Sequence, residues 1–145
     1  MTHVILRLLM LTLLALTPLA PCTAASDSTP QPVVIGHASV GPLTAATLRR
    51  LYTGRAIEVE GRPVNVVNAA AGSALREHFL EAVVDTDDQK YIAYWIVRRH
   101  VGKGVPPAEL KTAAEVIDYV RQTPGGIGYI AASDLRPGLN IIFRP

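Results

Sequence analysis

The chain has 145 residues, with 14 Lys and Arg against 12 Asp and Glu, a formal net charge of +2, and one cysteine, Cys22. That length allows one domain with one core. A charge so nearly balanced excludes a general polyanion binder, so neither nucleic acid nor an anionic membrane surface is an expected partner, and a lone cysteine leaves nothing to pair within the chain.

Met1 to Arg7 carries one positive charge and no acid, Leu8 to Ala20 is almost wholly apolar, and "PCTAA" follows. A charged start, an apolar core and a small-residue exit make a secretory signal peptide over 1–25, cut after Ala24 or Ala25. The apolar run is short for a spanning helix, so no membrane insertion is expected after cleavage. "LAPC" also resembles a lipoprotein acceptor site, but Pro21 fits that pattern poorly, which makes acylation of Cys22 the minor reading. Removing Arg7 leaves 13 Lys and Arg against 12 acids. Residues 26–32 ("SDSTPQP") read as a flexible leader, and 33–145 as a single domain.

"PVVIGHAS" predicts a short buried strand ending near Gly36. Thr44 then caps a helix, with Leu43 stapled onto Leu48. Leu48, Leu51 and Tyr52 share one face, and Gly54 stops the helix. Valine-rich "RPVNVVNAA" (62–70) predicts a strand. Leu75, Phe79, Leu80 and Val83 recur at helical spacing, which starts a second helix just after Ser73. Thr86 and Gln89 form an expected capping box for a third helix through "QKYIAYWIVRRHV", stopped at Gly102. Thr112 and Glu115 form another box before "AAEVIDYVRQ". "TPGG" predicts a type II turn with Gly125 at positive φ, and "IGYIA" and "NIIFR" are the last strands. Strands alternating with helices over short connections predict an α/β domain with a three-layer, mostly parallel sheet flanked by helices.

The junction "NAAAGSALREHF" places a glycine and a serine where a strand hands over to a helix. The first amides of a helix are unpaired and sit at its positive dipole end, and Gly72 lets a ligand approach the backbone closely. Gly72, Ser73 and Arg76 are therefore candidate ligands for an oxyanion such as phosphate. Arg76 lies in the first helical turn, where a cation is disfavoured unless an anion is bound. The plainer reading makes Ser73 an N-cap and sends Arg76 to water. On the oxyanion reading, Arg76→Ala is expected to abolish anion binding and to leave stability nearly intact or slightly improved.

Other residues carry less. His37, His78 and His100 lack metal-ligand spacing. Ser73 and His78, five apart on one helix, face different ways and do not make a nucleophile and its base. No acid–base constellation is visible, so neither an enzyme nor a cofactor is expected. Arg98, Arg99, His100 and Lys103 complement the dipole at the end of the third helix. Tyr94 and Trp95 are core or groove residues. Arg49, Arg50 and Arg55 form a candidate basic rim, with a solvated helix face as the plainer alternative.

Three blocks together resemble one family. "LTAATLRRLYTGR" is similar to the block L-S/T-x-x-x-L-R-x-I/L-F/Y-x-G-K/R of the phosphate-binding proteins of ABC importers. "VNVVNAAAGSALREHF" resembles their strand and anion loop, where a Ser-Gly-Thr run follows an arginine and precedes a phenylalanine. "VIDYVRQTPGGIGYI" resembles their V-x-x-x-P-G-A-I-G-Y-V block and is the most specific of the three. Order and spacing agree over nearly the whole domain. Ser73 and Phe79 match that family's serine and phenylalanine, whereas Ala74 and Leu75 stand at its glycine and threonine. Its arginine falls near Ala69, which leaves Arg76 as the substitute from the other side of the loop.

The resemblance implies a type 2 periplasmic-binding-protein fold, a periplasmic location, phosphate or another small oxyanion as ligand, and a membrane transporter as partner. Full members have two lobes, and 33–145 covers about one. A second reading follows from that length: an interaction module whose exposed half-cleft docks a partner protein, with no transport role.

Overall fold

The computed structural model of the chain describes residues 29–145. The signal peptide expected over 1–25, with Cys22 and its acylation, lies outside the described residues. Strands β1 (Pro32–Gly36), β4 (Asn65–Ala69), β5 (Ala108–Leu110), β6 (Gly126–Ala131) and β7 (Ile141–Phe143) form one sheet in the order β5-β4-β6-β1-β7. β5, β4 and β6 pair in parallel, and β1 is antiparallel to both β6 and β7. Four strands therefore share one direction and β1 alone opposes them, within the expected α/β frame. Strands β2 (Glu58–Val59) and β3 (Arg62–Pro63) make a separate two-stranded hairpin, so the single strand expected over 62–70 is broken at Val64.

Helices α1 (Ala45–Tyr52), α2 (Ala74–Phe79), α3 (Asp88–His100) and α4 (Ala113–Gln122) cover the two faces. Alternation along β1 shows how. Val34 joins Leu48, Tyr52, Phe79, Tyr91 and Tyr129 in a core under α1–α3, while its neighbour Ile35 joins Val67, Val116, Ile117, Val120 and Ile130 under α4. Both faces of the sheet are buried, which is why β1 and β6 read as unbroken apolar runs.

The helix starts show which local signals hold. Thr44 caps α1, and Thr112 and Glu115 close the expected box on α4. The box at Thr86 does not form. Asp87 caps α3 instead, accepting from the Lys90 amide at 2.8 Å, with a Lys90–Asp87 ion pair at 2.8 Å beside it. A carboxylate there caps the amide and recruits the lysine as well, which Thr86 cannot do. α2 runs on into one π-helical segment, Leu80–Val84, which ends on Asp85 in the left-handed region at φ 62. The turn before β6 has Gly125 at φ 73, as the sequence predicts.

Candidate functional site

β4 delivers the loop 70–73 at its carboxyl end, where ligands collect in open α/β sheets. That end is anchored by a tyrosine network. The Tyr52 hydroxyl donates to the Val67 carbonyl at 2.9 Å, and the Ala69 amide donates to the Tyr129 hydroxyl at 3.1 Å. The Tyr129 hydroxyl in turn donates to the Asn68 side chain. Tyr129 stacks on Phe79 with centroids 3.8 Å apart, which locks α2 over the strand. Burial pushes the phenols of Tyr52 and Tyr129 well up, and that of Tyr91 up to about 12.

The structure brings Gly72, Ser73 and Arg76 together as one loop and helix start, and it shows what each engages. Gly72 takes φ 75, and its amide donates to Asp88 Oδ2 at 2.7 Å. Ser73 is the N-cap of α2: its hydroxyl accepts from the Arg76 amide at 3.3 Å and donates to the Ala70 carbonyl at 2.8 Å. Arg76 turns inward and is only 2% exposed. Its Nε donates to Asp88 Oδ1 at 2.7 Å, and its Nη1 donates to Glu109 Oε1 at 2.6 Å and to the Ala69 carbonyl at 3.0 Å. The guanidinium lies 5.5 Å from the Tyr91 ring centre. Burial works against its charge, but the Glu109 hydrogen bond and the Asp88 and Glu109 charges outweigh that and hold its pKa above the ordinary value.

Two residues that sequence reasoning missed therefore complete the loop. Asp88 bridges Gly72 and Arg76, and Glu109 bridges Arg76 and the Ala71 amide (3.3 Å). Two carboxylates of the chain itself accept from the donors that would hold an anion. They differ in access: the Asp88 side chain is 11% exposed, that of Glu109 46%. With Arg76 they sum to one negative charge, so a free anion meets this loop as a competitor. The expectation that Arg76 is dispensable for stability fails here, because its removal strands a buried carboxylate.

Arg76 forms one wall of a cavity of about 160 Å³, shared with Asn68, Tyr91, Trp95, Arg99 and Glu109. Trp95 is the only tryptophan of the chain. Arg98 lies beneath this region, over the Tyr94 and Trp95 rings, and donates to the carbonyls of Gly54 (3.0 Å) and Lys103 (2.9 Å).

No protein-family model matches the chain, and no curated protein sequence does. Solved structures do match in fold. An ABC-type phosphate transport receptor from Vibrio cholerae superposes with a TM-score of 0.57 at 15% identity, over 78% of this chain and 45% of the receptor. A phosphate ABC transporter substrate-binding protein from Clostridium perfringens, with bound phosphate, gives 0.59 at 20% identity over 78% and 44%. PstS from Borrelia burgdorferi gives 0.57 at 18% over 78% and 46%. The chain thus has the fold of these phosphate receptors and spans less than half their length, as one lobe does. Among the described residues, no helix is long and apolar enough to cross a membrane.

Proposed function

We propose that the chain is an exported solute-binding-type lobe, led out by the signal peptide at 1–25, whose ligand class is a small oxyanion such as phosphate. In this reading the anion displaces Glu109 and meets Arg76 Nη1 and the Ala71 amide beside Gly72 and Ser73, and a membrane transporter of the ABC class is the partner it serves. The observation that carries it is the unequal burial of the two carboxylates on Arg76. Asp88 is held inside as part of the fold, while Glu109 stands half exposed on the edge strand β5, where water can take over its carboxylate once it is displaced. Phosphate then exchanges one charge-assisted contact for another, so the net gain is small and the affinity modest. Half a cleft also leaves the anion wet, where such contacts weaken.

The test uses Trp95, which shares the cavity with Arg76 and is the chain's single tryptophan. Phosphate titrated into the mature chain should shift its fluorescence with saturation between about 0.1 and 10 mM, and Arg76→Lys should abolish the saturation. A flat response at the highest phosphate contradicts the reading.

One observation favours a second reading, the partner-docking module. The loop donors Ala71 N, Gly72 N, Arg76 Nε and Arg76 Nη1 are all engaged within the chain, so the fold is complete at this site without a small ligand.

A further inference from the structure

Two segments of the chain, 49–57 and 92–108, carry six Lys and Arg and no Asp or Glu, and an acid follows each directly, Glu58 and Glu109. The fold lays them side by side. The Tyr94 hydroxyl donates to the Thr53 carbonyl at 2.7 Å, and Arg98 ties Gly54 to Lys103. Six of the seven large apolar side chains that stand exposed among the described residues, all but Ile141, fall in these same segments. Apolar side chains scattered singly over a surface need no explanation, whereas Ile57, Ile92, Ile96 and Val105, which line adjoining depressions, do.

The face is a continuous furrow. The cavity beside Arg76 and Arg99 shares Trp95, Pro106 and Pro107 with a depression of about 470 Å³ lined by Ile57, Lys103 and Val105. That depression shares Ala56 and Ile57 with a third, about 490 Å³, lined by Arg50 and Arg55. Arg98 is spent on carbonyls inside the fold. Arg50, Arg55, Arg99 and Lys103, by contrast, make no ion pair among the described residues, where the ion pairs are Arg49–Asp85, Arg76–Asp88, Arg76–Glu109 and Lys90–Asp87. The depressions therefore offer an apolar floor and a rim with four unpaired cations against two acids, Glu58 and Glu109, of which Glu109 is already paired with Arg76.

We propose that this furrow docks an extended segment of a partner protein that carries acidic side chains interleaved with apolar ones. This rests on the second reading above. The cations tested below, Arg99 and Lys103, are other than Arg76, so the failure of this proposal and the failure of phosphate binding are distinguishable. Charge complementarity selects the acids, and the exposed isoleucines and valines select the apolar residues between them. Adjoining depressions that share lining residues suit a strand-like peptide, where alternate side chains point to opposite sides.

The test uses the mature chain and three probes: a fluorescein-labelled peptide alternating glutamate and leucine, its lysine–leucine counterpart, and vesicles of phosphatidylglycerol with phosphatidylcholine. The glutamate–leucine peptide should bind at least about tenfold tighter than the lysine–leucine peptide, and added salt should weaken it. Arg99→Glu with Lys103→Glu should lower its affinity by roughly tenfold or more, and Ile96→Asp by several-fold, while Arg121→Glu on α4, outside the furrow, leaves it unchanged. Equal binding of both peptides, or an equal loss in Arg121→Glu, overturns the proposal. So does binding to the vesicles in preference to the peptide, which points to a membrane, or concentration-dependent self-association that Ile96→Asp abolishes, which points to a second copy in the furrow.

Discussion

Replacing Arg76 with methionine tests whether the ion cluster is part of the fold. The substitution keeps most of the side-chain volume and removes the charge. Asp88 then keeps its hydrogen bond from Gly72 but loses its cation while still buried. Breaking one side of a buried pair costs about 3–5 kcal/mol. The Glu109 arm adds little, because that carboxylate is half exposed and rehydrates when released. A domain of this size loses about 3–5 °C of melting temperature per kcal/mol, so the midpoint should fall by about 10–20 °C. Thermal melts followed by far-UV circular dichroism at pH 7 read this directly. Adding Asp88→Asn should restore most of the loss, since the amide oxygen still accepts from Gly72 and no buried charge remains. A melt of Arg76→Met within about 2 °C of wild type refutes the reasoning and returns Arg76 to solvent.

Three further outcomes are expected. Ser73→Ala removes the cap on α2 and should cost about 1 kcal/mol in urea unfolding; no change in the midpoint means the cap is not worth its geometry. Gly125→Ala should cost about 2–4 kcal/mol, because φ is 73 and the added Cβ runs into the Pro63 carbonyl oxygen; an unchanged melt contradicts the turn assignment. Buried Tyr52, Tyr91 and Tyr129 have folded pKa values raised above the unfolded value of about 10. The stability they contribute is therefore whole below about pH 10 and is lost as pH rises towards 12, by up to about 1.4 kcal/mol per pH unit for each phenol. Tyrosinate absorbance from these three should appear together with the loss of circular dichroism, and full absorbance from a chain still folded is the contrary result.

What the sequence made legible was whatever local chemistry decides alone. Thr44, Ser73 and the Thr112–Glu115 box are caps because a hydroxyl faces the amide three residues on, whatever the tertiary context. The buried strands were legible because apolar runs bounded by turn residues have few other homes. β5 was not: it is three residues long, follows Pro106–Pro107, and exists because β4 offers it a parallel edge. Asp87 displaced Thr86 as a cap because neighbouring acids compete, and the winner also gained a lysine. The loop residues of the site were found through their glycine, serine and helix start. Their partners were not, because Asp88 is 12 residues and Glu109 33 residues from Arg76. Nothing local marks an acid that closes a loop from another element. The arginine in a first helical turn was the one available signal. It pointed to a negative charge nearby, which turned out to be two carboxylates of the chain.

The measurement that bears most directly on the central claim, that Glu109 holds the place of an oxyanion on Arg76, is a calorimetric titration of inorganic phosphate into wild type and Glu109→Ala. The variant frees Arg76 Nη1 and the Ala71 amide together and removes one negative charge from the cluster. It should bind phosphate about ten- to a hundredfold more tightly than wild type, the worth of one charge-assisted hydrogen bond. Equal affinity in the two proteins, or no heat from either at about 10 mM phosphate, contradicts the claim and leaves the loop as a closed element of the fold.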